Sequence, residues 1–294
     1  MTLPNFIVIG AAKAGTTALY WYLAEHPAIY MSPVKETNYF AYGVDARGGL
    51  LWGDPEVHRF GVKTLAEYEA LFDGAGSTTA VGEASTMYLE CPQAAGRIRE
   101  AIPSARIICG LRDPVDRAYS DYQMFLRNRG RRLEPARDLA PDAAWVRADS
   151  HWMKIGRYHD QLARYYDLFP RERIHVFLFD DLQRNTLAVV QQIYRFLGVD
   201  PNFVPDLATP HNVGGMPSNV LLERILTNRA LRAAVEPWMS TGAANWFRRL
   251  RTKSMRKAPA LPPALKATLR RQFHDDISRT STLIGRSLDH WRGE

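Results

Sequence analysis

An α/β fold, with a central parallel sheet of about five strands flanked by helices, is what this 294-residue chain predicts. Three observations predict it. Apolar, β-branched segments alternate with helix-like ones from Asn5 to Val199. Several of the strand segments are near-continuous apolar runs, as expected where helices cover both faces of a sheet. The first of them runs into a glycine-bearing turn that opens a helix, which is the plan of a P-loop-like nucleotide-binding fold.

The strand segments are "NFIVIG" (5–10), "AIYM" (28–31), "TTAVGEAS" (78–85), "ARIICGL" (105–111) and "RIHVFLF" (173–179). Between them, "TTALYWYLAEH" sets Leu19, Tyr22 and Leu23 on one side and stops before Pro27. "TLAEYEALF" and "CPQAAGRIREAI" are amphipathic. "DPVDRAYSDYQMFLR" opens with Asp113 as N-cap and Pro114 at the first helical position. "TLAVVQQIYRFLGV" ends at Gly198, placed to cap it. The segment from about 127 to 155 reads as an irregular, basic insertion, and 201–263 as irregular or helical without a clear strand. A last helix, "PPALKATLRRQFHDDISRTSTLI", follows. No repeat or low-complexity linker interrupts the chain, so one domain over 1–294 is expected.

A hydrophobic fraction of 46% and a charged fraction of 23% are those of an ordinary globular protein. No apolar stretch is long enough for a membrane span, and "NFIVIG" follows Met1 too closely for a targeting segment, so a cytoplasmic location is expected. Cys91 and Cys109 read as two reduced thiols. The net charge of +7 favours an anionic partner: a charged cofactor, an anionic substrate or nucleic acid. The runs "RNRGRRLEPAR" and "RRLRTKSMRK" concentrate that charge, although a solvated helical face is the commonest explanation of such runs.

The stretch "IGAAKAGTTAL" departs from the P-loop pattern at one position. Gly10 and Gly15 keep the spacing, but Thr16 stands where a nucleoside triphosphatase carries lysine, and the lysine is Lys13, inside the loop. The loop supplies backbone N–H groups and a helix N-terminus, and Thr16 and Thr17 add hydroxyls. A lysine moved into the loop suits a two-unit anion with no γ-phosphate. In "GLRDPVDRAYSDY", Arg112 sits at the carboxyl end of the fourth strand, where open α/β sheets bind ligands. Ser120, eight residues on, is just over two helical turns away. An arginine fork with a hydroxyl receives one further phosphate; alternatively, Arg112 pairs with Asp113 or Asp116 and Ser120 packs into the helix.

With "PVKETNYF" between them, "AAKAGTTAL" and "LRDPVDRAYSDY" resemble the sulfotransferases that use 3′-phosphoadenosine 5′-phosphosulfate (PAPS), above all the heparan-sulfate-type branch and its bacterial relatives. The likeness continues through "GRYHDQLARYYDLFPRERIHVFLFDDL" and "IYRFLGV" to the final helix. It implies that Lys13, Ala14, Gly15, Thr16 and Thr17 hold the 5′-phosphosulfate, that Arg112 and Ser120 hold the 3′-phosphate, and that no metal is required. The product would be adenosine 3′,5′-bisphosphate (PAP). Glu36, with Tyr39 and Phe40, matches the branch's E-x-x-[FY]-F pattern and is the implied general base, with Lys13 the cation for the leaving group. Lys35 either tunes that glutamate or contacts the sulfonate.

Two departures matter. The branch's third-strand motif E-K-[ST]-P is Glu83-Ala84-Ser85-Thr86 here, so its lysine is absent, which argues against heparan sulfate itself as acceptor. The late glycine- and lysine-rich loop is represented by "TKSMRKAP", which offers Arg256 and Lys257 to the cofactor. The acceptor is expected to be a carbohydrate, lipid or small molecule, with no nucleic acid bound. Trp52, Tyr42, Trp152 and the 127–137 arginines are expected near it, and His151 or His211 either lines the cleft or is structural. No histidine or cysteine spacing supports a metal. Two other functions fit the loop alone: a P-loop kinase, which would need lysine after Gly15, and a non-catalytic anion- or RNA-binding protein.

Overall fold

The structure, a computed structural model, describes residues 3–42, 61–208, 216–217, 255–256 and 258–293. Five strands form one sheet: β1 (Phe6–Gly10), β2 (Ile29–Met31), β3 (Ala80–Ala84), β4 (Arg106–Leu111) and β5 (Ile174–Leu178). Their order is β2-β3-β1-β4-β5 and every pairing is parallel. Each expected strand is present, shortened by one to three residues. Phe6 lies opposite Gly82 on one side and Arg106 on the other, so β1 is central.

Alternation along the strands divides the core into two layers. Ile7 and Ile9 of β1, with Ile107, Cys109 and Leu111 of β4, face a layer containing Tyr88, Tyr158, Tyr165 and Phe273. Phe6 and Val8, with Ile108 and Phe177, face Leu19, Leu23, Val190 and Ile193. All five residues of β1 are buried, which is why it reads as an unbroken apolar run. Both cysteines are free and buried, and burial pushes the Cys109 thiol well above its ordinary range.

Helix α1 (Thr16–Ala24) follows β1 and buries Leu19, Tyr22 and Leu23 as expected. Helix α2 (Pro114–Asn128) starts as its sequence predicts: Asp113 Oδ1 accepts from the N–H groups of Val115 (2.9 Å) and Asp116 (3.1 Å). The helix Thr186–Leu197 ends at Gly198, whose φ of 78° is left-handed. Helix α3 (Pro263–Ile284) lies against the first layer through Leu269, Phe273 and Ile277.

The 127–155 segment contains two short helices, Pro135–Asp138 and His151–Lys154. It is pinned to α2 by Trp145, whose ring stacks on those of Tyr119 and Tyr122 and whose Nε1 donates to Asp138 O at 2.6 Å. Within 201–263, a two-residue antiparallel pairing joins Met216–Pro217 to Met255–Arg256, where no strand was expected. Helices at Met87–Glu90, Tyr158–Leu168 and Phe179–Arg184 are additions to the sequence reading.

Candidate active site

β1 ends at Gly10 and the chain turns through Ala11–Gly15 into α1. The loop is built from left-handed backbone at Lys13 (φ 70°) and Gly15 (φ 84°). At Gly15 this costs nothing, whereas at Lys13 it costs about 1–2 kcal/mol and must be held from outside. Arg112 holds it: its Nη1 donates to Lys13 O at 3.0 Å. Gly15 precedes α1 without a side-chain cap, so the helix keeps the N-terminal N–H groups that attract anions. A Cβ on Gly15 would lie 2.6 Å from Leu182 and 3.1 Å from Phe179, so only glycine fits there.

Arg112 continues from β4. Its guanidinium lies over the Phe179 ring, 4.6 Å from the centroid, and its carbonyl accepts from the Tyr158 hydroxyl at 2.9 Å. The acids beside it are taken by other cations. Lys266 of α3 donates to both oxygens of Asp116 (2.7 and 2.9 Å), and Arg270 to Asp113 at 3.0 Å. Arg112 therefore pairs with neither Asp113 nor Asp116, and among the described residues it makes no ion pair.

A cleft of about 720 Å³ opens over these residues. Lys13, Gly15, Thr16, Thr17, Lys35, Glu36, Arg112 and Ser120 all line it, together with Thr86, Asp116, Arg127 and Lys266. Ala14 is fully buried under the loop and is not part of the lining. His151 is exposed and lies outside the lining, because its helix buries Met153 on the opposite side and is capped by Ser150. Trp152 packs edge-on against Tyr122 and Phe125 rather than lining the cleft. Trp52, His211 and Lys257 lie outside the described residues, and Arg256 is described only as backbone, in its pairing with Met216.

The charges at the cleft are unbalanced. Lys13 Nζ meets Met124 Sδ at 3.4 Å and, among the described residues, makes no ion pair. Burial lowers its pKa to about 8; Asp121 opposes that shift, and Arg127, Arg112 and Arg117 add to it. Burial likewise lowers the Arg112 pKa. Two desolvated cations without an anion are suited to a ligand that carries negative charge.

Glu36 reaches this cleft by a crossing of the chain. After edge strand β2, the backbone passes over the carboxyl end of β3: Ser32 N–H donates to Gly82 O (2.8 Å) and Glu36 N–H to Ala84 O (2.9 Å). Glu36 is left-handed (φ 61°), as is Asn38 (φ 53°). The Glu36 carboxylate is oriented by Thr86, whose N–H donates to Oε2 at 2.7 Å and whose hydroxyl lies 3.2 and 3.3 Å from the two oxygens. Lys35 Nζ contacts Oε1 closely. Behind the turn lies a residue to which the sequence assigns no role beyond its place in the third-strand motif: Glu83, fully buried and surrounded by the hydroxyls of Thr37, Tyr68, Ser85 and Tyr88. Among the described residues, no three His, Cys, Asp or Glu side chains gather as a metal-binding group.

The parallel sheet, the glycine turn and the arginine of the neighbouring strand on one cleft define an α/β protein of the P-loop-like nucleotide-binding class. Within that class, the chain belongs to the sulfotransferase family, whose model matches residues 4–203. Its structure resembles the crystal structure of a sulfotransferase from Alicyclobacillus acidocaldarius, with a TM-score of 0.70 and 30% identity over 99% of this chain and 100% of that one. Membrane-associated sulfotransferase kil1 of Dictyostelium discoideum is 33% identical over 138 residues, 46% of this chain and 26% of kil1. Bifunctional heparan sulfate N-deacetylase/N-sulfotransferase 3 of Mus musculus is 28% identical over 213 residues, 68% of this chain and 23% of that protein. The matches thus span about a quarter of these two relatives. Among the described residues, no helix is long and apolar enough to cross a membrane.

Proposed function

We propose that the protein transfers a sulfuryl group from PAPS to a hydroxyl or amine of a carbohydrate, lipid or natural-product acceptor, with Glu36 as general base. The observation that carries this reading is the 3.0 Å bond from Arg112 to the Lys13 carbonyl, made on the cleft that Glu36 also lines. It supports the reading because Lys13, Arg112 and Glu36 line one cleft.

The residues fit such a donor. Lys13, the first-turn N–H groups of α1 and the Thr16 and Thr17 hydroxyls would hold its phosphosulfate, and Arg112 and Ser120 its 3′-phosphate. The pairing of Asp113 and Asp116 with α3 leaves the Arg112 fork for that second anion. When bound, the donor supplies the sulfuryl group and a phosphate leaving group. Glu36 takes the proton from the acceptor hydroxyl or amine, and the Thr86 N–H fixes the direction from which it does so. Lys13 meets the negative charge that develops on the leaving oxygen. Lys35 adds a positive charge beside the base. A kinase reading lacks support, because Thr16 replaces the phosphate-chain lysine and Asp113, the acid at the end of β4, caps α2 and pairs with Arg270.

Two measurements test the proposal. PAP should raise the unfolding temperature without magnesium, and labelled PAPS should pass its label to one or more members of a panel of sugars, amino sugars, fatty alcohols and phenols. Indifference to PAP would overturn the donor assignment, and Glu36→Gln with undiminished transfer would overturn the base assignment.

A further inference from the structure

Glu83 occupies a core position of β3 with no exposed surface, and among the described residues it makes no ion pair. An ionised carboxylate so placed costs several kcal/mol of desolvation, and an apolar residue would fill the strand at less cost. Four hydroxyls meet it. Thr37 Oγ1 (2.8 Å) and Ser85 Oγ (2.7 Å) donate to Oε2, while the Tyr68 and Tyr88 hydroxyls (both 2.8 Å) donate to Oε1. They fill the lone-pair sites of the anion. Burial raises its pKa, and the hydroxyl bonds offset only part of that rise.

The same hydroxyls extend to the turn that carries Glu36. Ser85 Oγ accepts from Asn38 N–H at 3.1 Å, and the Tyr88 hydroxyl accepts from Phe40 N–H at 3.4 Å. Thr37 bonds Glu83 directly. Residues 37, 38 and 40 are thus fixed to one carboxylate, and they follow the base in sequence. Glu36 and Asn38 both take left-handed backbone that each Cβ disfavours by about 1–2 kcal/mol. Such a turn persists only where its surroundings hold it. The hydroxyl cage is part of that hold.

We propose that Glu83 is the positioning residue for the base: through Thr37, Ser85 and Tyr88 it holds the left-handed turn that presents Glu36 to the cleft. This inference rests on Glu36 acting as base. Glu83 touches neither donor nor acceptor, so its effect falls on the transfer step and spares donor binding.

Thr37→Val, Thr37→Ser, Glu83→Gln, Glu36→Gln and the double variant Glu83→Gln/Glu36→Gln test it in the full chain. PAP affinity is read by calorimetry, kcat and KM with PAPS and the panel acceptor that takes most label, and the turn by crystal structures with PAP. Thr37→Val and Glu83→Gln should lower kcat about 10- to 100-fold, the effect of an ångström-scale misplacement, with PAP affinity and KM for PAPS within about twofold of the parent. Thr37→Ser, which keeps the hydroxyl, should recover the parent rate. Glu83→Gln should slow Glu36→Gln no further, because a residue acting through another adds nothing once that other is gone. The Thr37→Val crystal structure should show Glu36 away from the Thr86 N–H. Should Glu83→Gln fail to fold, the Thr37 pair carries the same outcomes.

Additive loss in the double variant, parallel loss of PAP binding, or an unmoved turn with parental kcat in Thr37→Val would overturn the positioning role. If Glu36→Gln is inactive and Thr37→Val is not impaired, only this inference falls. If Glu36→Gln is fully active, the base assignment falls and takes this inference with it.

Discussion

Arg112 and Lys13 are 99 positions apart in sequence, yet the guanidinium of one donates to the main-chain carbonyl of the other at 3.0 Å. The contact joins the ends of neighbouring strands β1 and β4, so the two cations proposed to meet the donor keep a fixed separation. Arg112→Lys retains charge but loses the planar fork. Binding of PAP should weaken by about 10- to 100-fold, the value of a charge-assisted bidentate contact, while adenosine 5′-phosphate should bind nearly as before. Calorimetry with both nucleotides checks this; equal weakening of the two would place the effect on loop geometry instead.

Lys13 should make PAP binding pH-dependent. The free protein loses the Lys13 proton at about pH 8, whereas an unfolded chain keeps it to 10.5. Between those values the unfolded chain binds more protons, so the free protein gains stability as pH rises through that window. A bound polyanion restores the charge on Lys13. Complex formation should therefore take up a proton, and PAP affinity should fall above about pH 8 by up to about tenfold per unit. Calorimetry in buffers of differing ionisation enthalpy measures the uptake, and Lys13→Met should remove it.

Lys266 protects Arg112 from competition by Asp116. With Lys266→Met, the carboxylate loses its partner and turns its charge on the neighbouring arginine and on any phosphate held there. PAP affinity should fall about fivefold, as for a partly exposed ion pair. Adding Asp116→Asn should restore it. A double variant no better than Lys266→Met would indicate that Lys266 contacts the nucleotide itself.

Gly82 is a stability position. A Cβ there would stand 2.2 Å from the Phe6 ring, at the register point where β1 and β3 pair. Gly82→Ala should cost about 1–3 kcal/mol in denaturant unfolding through overpacking, and Phe6→Leu in that background should return part of it.

What was legible in the sequence follows from how local its cause is. β1 and β4 could be read because burial on both faces leaves an apolar run, and the start of α2 because Asp113-Pro114 is a cap signal in two residues. The glycine turn from β1 into α1 could be read from the spacing of Gly10, Lys13 and Gly15. The cage around Glu83 could not, since its donors come from positions 37, 68, 85 and 88 and meet only after the sheet has formed. Thr86 reads only as part of a missing motif, although its N–H holds the Glu36 carboxylate. Helix Tyr158–Leu168 has a regular stripe in Tyr158, Leu162 and Tyr165, hidden by the polar residues between and by tyrosine serving as core. His151 was placed near the cleft because it sits in a loop-like run; the aromatic stack of Trp145 on α2 fixes that run in another direction.

The chain's crossing from edge strand β2 over the end of β3 has an evolutionary corollary. The groups proposed to grip the nucleotide sit on the turn from β1 into α1, at the end of β4 and on α2, whereas the stretch Ala258–Leu261 walls the cleft from a place with no part in the sheet. A lineage is free to redraw that wall without disturbing the groups proposed to hold the donor.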